Sequence, residues 1–174
     1  MEFYFSNYSR TVDAQTAVSK VRYGGYDSNL HIALSLARDS VFVAANGARM
    51  NDPSVTKLVV VITNNLSANK SATLREAELI RDAGIGLVTI GVGTYLDRYE
   101  LSAVASYPYT KNMFITDTAT NLSDFIDPVK RIICGGLSQS SSVDRSQSFS
   151  NVYYDTTLRK TASMHVQIEF VDWK

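Results

Sequence analysis

The run KLVVVITNNLS, residues 57–67, is strongly apolar until it stops on two amides, Asn64 and Asn65. In open α/β sheets, ligands bind in the crevice outside the carboxyl ends of the strands. A neutral pair therefore stands where chemistry is expected. Other chemistry-bearing residues are few. A lone Cys134 excludes an internal disulfide framework and any multi-cysteine zinc or iron–sulfur site. Two histidines, His31 and His165, exclude a histidine-rich transition-metal site. Any bound metal would be a hard cation held by oxygen atoms. A Ser-His-Asp enzyme would need one of those histidines beside a serine and an aspartate, and no nucleophile-elbow sequence supports that.

Two further patterns carry chemistry. TIGVGT (89–94) offers glycines that could cradle phosphate. It lacks the third glycine and the downstream ribose-binding acid of a dinucleotide site, so it reads as a tight strand-to-helix turn. His31 reads as a helix residue. Asn7, Asn65, Asn69 and Asn121 each begin an Asn-x-Ser sequon, which fits a secreted surface. Asn65 and Asn69 lie by the end of the apolar run, where a glycan would obstruct a ligand.

The elements that must position these residues alternate. LVVVIT (58–63) is a continuous β-branched run, the pattern of a parallel strand buried on both faces. GLVTIGVG (86–93) and MFITD (113–117) read as two more strands. Between them, TLREAELIRDAG carries Thr73 and Glu76 at capping-box spacing and stops at Gly84. DRYELSAVASY reads as a short helix, and NLSDFIDPVKRIIC as a helix with Pro128 in its first turn or at a kink. Upstream, EFYF (2–5) reads as a short strand and TVDAQTAVSKV as a helix with Val12, Ala14, Ala17, Val18 and Val21 on one face. Leu30, Ala33, Leu34, Ala37 and Val41 form a second helical stripe, with Asp27 or Ser28 as N-cap. The alternation predicts an α/β fold with a doubly wound, mostly parallel sheet. After Cys134 a Ser-rich stretch reads as linker. MHVQIEFVD (164–172) alternates like a half-exposed antiparallel strand.

A length of 174 residues suits one ordinary domain with a real core. The 17 basic and 17 acidic residues balance, which gives no electrostatic case for nucleic acid or an anionic membrane. No apolar run approaches the roughly 18 residues of a membrane span. MEFYFSNYSR lacks the basic and apolar regions of a signal peptide. Either the protein is cytosolic or the sequence is part of a secreted chain.

Taken in order, GGYDSNLHIALSLAR, KLVVVITNN, LREAELIRDAGIGLVTIGVG, ELSAVASYP, MFITD and VKRIIC resemble the von Willebrand factor A domain, in its extracellular branch with integrin I domains, matrilins and type VI collagen. The resemblance covers residues 2 to 134. It implies a Rossmann-like sheet with a metal-ion-dependent adhesion site at the carboxyl ends of its strands. There the family holds magnesium or manganese by an Asp-x-Ser-x-Ser loop after the first strand, a Thr before the third helix and an Asp after the fourth strand. A ligand carboxylate completes the coordination. Carried across, Ser28 falls on the Thr and keeps a hydroxyl, Asn64 falls on the Asp, and Asn65 on the Gly that follows it. An amide oxygen brings no charge to offset the ion, so Mg or Mn binding is expected to be weak or absent. The resemblance also implies a disulfide partner for Cys134 outside this chain.

On this alignment the chain begins at the family's third strand and lacks the first two, which belong between the third and the fourth. Two arrangements stay open. In one, those strands lie in absent sequence. In the other the chain is permuted or swapped: DRSQS (144–148) supplies Asp144, Ser146 and Ser148 as metal ligands, and HVQIEFVD resembles the family's second strand. The expected division is an A-like domain over 1–134, a linker over 135–150 and a β segment over 151–174 that completes the sheet in the permuted or swapped arrangement. The implied function is a non-enzymatic, secreted adhesion or matrix module. It would bind a matrix protein such as collagen, in tandem A domains or as a swapped dimer. The alternatives are a structural A domain with no metal or ligand function, or a nucleotide-binding Rossmann enzyme.

Overall fold

The computed structural model describes residues 2–21, 28–135 and 167–171. Its centre is a parallel sheet of Leu58–Thr63 (β1), Gly86–Val92 (β2) and Met113–Thr116 (β3). β1 pairs with β2 from Leu58↔Gly86 to Thr63↔Gly91. β2 pairs with β3 from Thr89↔Met113 to Val92↔Thr116. These strands fall where the apolar runs predict them. The remaining edge of β1 is taken by Gln167–Val171 (β4), antiparallel, from Leu58↔Val171 to Ile62↔Gln167.

The pleat sends alternate residues of each strand to opposite layers. Val59 and Val61 of β1 and Leu87 of β2 join one cluster with Leu30–Leu36 (α2), Lys70–Asp82 (α3) and Arg98–Val104 (α4), through Leu30, Leu34, Ala77, Ile80 and Val104. Leu58, Val60, Val88 and Ile90 face the other layer, against Phe114, Leu122, Phe125 and the residues Val129, Ile132 and Ile133 of Ile126–Gly135 (α6); Thr11–Val18 (α1) and Tyr109–Asn112 (α5) are the other α-helices among the described residues. Helices thus cover both faces, and each fully buried Val or Leu contributes on the order of 2 kcal/mol. α2 runs on through a π-turn, Ala37–Val41, which carries the apolar stripe to Val41. Gly84 closes α3 at φ +77, the left-handed conformation that glycine adopts without steric cost.

Where β3 is too short to accompany the start of β2, Ser106 takes its place. It accepts from the Leu87 N–H through its hydroxyl at 2.9 Å and donates its own N–H to the Leu87 carbonyl at 2.8 Å. The buried Thr89 hydroxyl donates to the Leu101 carbonyl at 3.1 Å. Buried polar groups within the sheet are therefore satisfied by the helical layer.

Three local expectations are corrected. EFYF is not a strand: Phe5–Asn7 forms a 3₁₀ turn, and the Phe5 ring packs edge-on against Phe42 at 5.2 Å. The aromatic residues there serve the core cluster rather than a pleat. Ser28 does not cap the helix at 30: Asn29 holds the N-cap position, and Asp27 lies outside the described residues. The Thr73/Glu76 capping box does not form, because α3 starts earlier with Asn69 as N-cap. Thr73 is then an interior helix residue donating to the Asn69 carbonyl, and Glu76 pairs with Arg38. Within the alternating segment at 164–172, the described residues 167–171 are antiparallel as expected and pair directly with β1. Gly135 ends α6, and the rest of the 135–150 linker lies outside the described residues.

Candidate ligand crevice at the carboxyl ends of the strands

β1 and β3 finish in the same way. The Thr63 hydroxyl donates to the Asn65 carbonyl and accepts from the Asn65 N–H, at 3.2 and 3.3 Å. Thr116 does the same to Thr118, at 3.2 and 3.4 Å. A hydroxyl that satisfies its own turn stops a strand without another partner strand. Between them Gly93 ends β2 at φ +100, and its N–H reaches the Thr116 carbonyl at 2.7 Å. Three strand ends and their turns thus make one rim.

Ser28 belongs to that rim. It is 6% exposed, and its carbonyl accepts the Ala68 N–H from the loop after β1 at 2.9 Å. Ser28 therefore lies against the loop that follows β1 and Asn64. The Asn64 Oδ1 atom is buried and accepts no hydrogen bond from the described residues, while the residue is engaged through another interaction. His31 sits within α2, half-buried.

Neither donor brings negative charge to a hard divalent cation. Ser28 offers a neutral hydroxyl and Asn64 a neutral amide oxygen. Among the described residues no group of three or more His, Cys, Asp or Glu side chains could hold a metal ion. A dication stripped of water needs anionic oxygen to offset its lost hydration. Asp144, Ser146 and Ser148 lie outside the described residues.

The structure also brings forward residues that the sequence reading passed over. Glu100, 4% exposed in the first turn of α4, accepts a hydrogen bond from the Ser67 hydroxyl. Asp97 caps α4 by accepting the Glu100 N–H at 3.0 Å and pairs with Lys70, whose ammonium lies 4.8 Å from the Tyr99 ring centre. Burial alone would raise the Asp97 carboxyl, but the Lys70 hydrogen bond and the Glu100 N–H hold it below the ordinary aspartate value. The signal was present, since Asp97-x-x-Glu100 before an apolar run is a capping-box pattern. The carboxylate of Glu100 goes to Ser67, however, which fastens the loop after β1 to α4.

The sequons separate by exposure: Asn7, Asn69 and Asn121 are exposed and Asn65 is half-buried. Cys134 carries an exposed free thiol on α6. No helix among the described residues is long and apolar enough to cross a membrane.

Comparison with known proteins places this geometry. The von Willebrand factor type A domain family matches residues 1–128. Mouse matrilin-2 is 25% identical over 139 residues, 80% of this chain and 14% of matrilin-2. Human von Willebrand factor A domain-containing protein 1 is 32% identical over 118 residues, 67% of this chain and 25% of that protein. The chain thus spans a small part of either relative. In fold, proximal thread matrix protein 1 from the mussel byssus, solved with a zinc-occupied metal-ion-dependent adhesion site, superposes with a TM-score of 0.66 at 20% identity, covering 76% of this chain and 33% of that one. With its parallel sheet covered on both faces and a match over most of its length, the chain belongs to the von Willebrand factor type A domain family.

Proposed function

We propose that the chain is a non-enzymatic extracellular adhesion or matrix module that binds a protein ligand, collagen or another matrix protein, through the loops at the carboxyl ends of β1, β2 and β3. The observation that carries this reading is the convergence of Ser28 and the Asn64 loop at one rim, in a family whose relatives here include a matrilin. Ser28 and Asn64 bring only neutral oxygen, so the metal site is degenerate. Ligand is then held by loop contacts, and the Ser67–Glu100 and Lys70–Asp97 links keep those loops in place. Cys134, exposed on α6, is left for a partner cysteine outside this chain, in line with tandem domains.

Binding of the full chain to immobilised collagens, with magnesium and then with chelator, tests the proposal. Binding that survives chelation is the expected result. Binding that vanishes with chelator would overturn the degenerate site, and no binding to any matrix protein would favour a purely structural A domain. A thermal shift with ATP or NAD would instead favour the nucleotide enzyme.

A further inference from the structure

The Asn-x-Ser sequons differ in what the fold asks of each asparagine. N-glycosylation uses the amide nitrogen and leaves the amide oxygen in place. At Asn69, Oδ1 is the atom in structural use, accepting the Ala72 N–H at 3.1 Å as the N-cap of α3. At Asn7, Oδ1 likewise accepts the Tyr4 N–H. Asn121 is exposed in the 3₁₀ turn Ala119–Phe125, whose Leu122 and Phe125 supply the contacts with the core. At none of these three does a hydrogen bond among the described residues use the amide nitrogen. Asn65 is different. Its N–H and carbonyl are both clamped by Thr63, and the hydroxyl of its own sequon, Ser67, is committed to the buried Glu100. A glycan on its half-buried side chain would stand against this turn.

We propose that Asn7, Asn69 and Asn121 are N-glycosylation sites and that Asn65 is not, and that the oligosaccharide on Asn69 stands at the crevice rim and limits which ligands enter. The inference rests on the secreted reading above. In the reaction, Nδ2 of each asparagine bonds to the anomeric carbon of a lipid-linked oligosaccharyl diphosphate. The bond from that carbon to the diphosphate oxygen breaks, and the amide gives up one proton. Asn69 is two residues from Ser67 and one from Lys70, the two residues that fasten the rim to α4. A glycan on it flanks the ligand path while its Oδ1 still caps α3.

The full chain, secreted from animal cells behind a secretion leader, tests the assignment. Enzymatic deglycosylation in heavy-oxygen water converts each glycosylated asparagine to labelled aspartate, which peptide mass spectrometry locates. Label at positions 7, 69 and 121 and none at 65 is expected. An unlabelled position 69, or a labelled 65 in folded protein, overturns the assignment. Retention of the chain inside the cell counts against the secreted reading instead, and the sites are then mapped on the microsomal fraction. Asn69→Asp keeps a capping oxygen but removes the acceptor nitrogen, so it should lose one glycan and remain folded. On immobilised type I collagen, Asn69→Asp should bind about tenfold more tightly than the glycosylated parent. Equal binding overturns the rim's role. Binding by neither form overturns the ligand reading and that role with it, while the mass spectra still decide the sites.

Discussion

The hydroxyl of Ser67 donates to Oε1 of Glu100, joining the loop after β1 to the first turn of α4 across 33 residues of chain. The carboxylate is almost fully buried, so the hydrogen bond stands in for lost water. Ser67→Ala should cost about 1–3 kcal/mol, because it leaves a buried acceptor short of a donor. Glu100→Gln should cost less, since its amide oxygen still accepts. Urea denaturation of both single variants and the double variant checks this. Strict additivity would show that the pair is not coupled.

The Lys70–Asp97 pair predicts a pH dependence. Burial opposes the Asp97 charge, but Lys70 and the α4 amide outweigh it, so its folded pKa lies below the unfolded value. A depressed carboxylate stabilises the fold above the unfolded pKa of about 3.9, and that stabilisation is lost as pH falls through the folded value. With both side chains partly exposed, the pair should contribute about 0.5–1 kcal/mol. Asp97→Asn, which keeps a capping oxygen, should lose less stability than the parent between about pH 5 and 3. Parallel losses in the two proteins would rule the pair out as a source.

Arg81 secures the other end of α4. Its guanidinium donates to the carbonyls of Ala103 and Val104 at 3.1 and 2.7 Å. Burial lowers its pKa, with Glu78 and Asp82 opposing, yet a guanidinium remains charged throughout the accessible range. Arg81→Met should cost about 1–3 kcal/mol, and Arg81→Lys should restore only part of it, because the lysine ammonium stops one bond short of the Nη1 atom that makes both hydrogen bonds. Thermal melts of the three proteins read this directly.

Asn64 decides the metal prediction. Asn64→Asp restores a charge beside the Ser28 loop and should raise manganese affinity, seen as a manganese-dependent rise in Tm absent from the parent. Calorimetry giving the unmodified chain an affinity in the micromolar range would refute the degenerate site. Loss of that affinity in Asp144→Ala would place the Asp-x-Ser-x-Ser loop at the crevice and support a permuted or swapped sheet.

How much of this was legible varied element by element. β1 was read at its observed boundaries because a strand buried on both faces admits only apolar residues throughout, which is itself a pattern. The residues 167–171 showed their strand character through alternation, but nothing local specifies a partner, and the open edge of β1 supplied one. EFYF misled because aromatic residues suit a pleat and a core contact equally well, and Phe42 settled the matter. The start of α3 misled because Thr73 and Glu76 have cap spacing but more favourable partners in Asn69 and Arg38.

Sequence alone determined the α/β class and the three parallel strands. Each follows from periodicity and chain order, which are properties of neighbours in sequence. Only the tertiary structure decided that Glu100 binds Ser67, that Lys70 reaches Asp97 and that Asn65 is clamped while Asn69 is exposed. A buried polar group takes whichever donor the fold brings within about 3 Å, and that choice is made between residues distant in the chain.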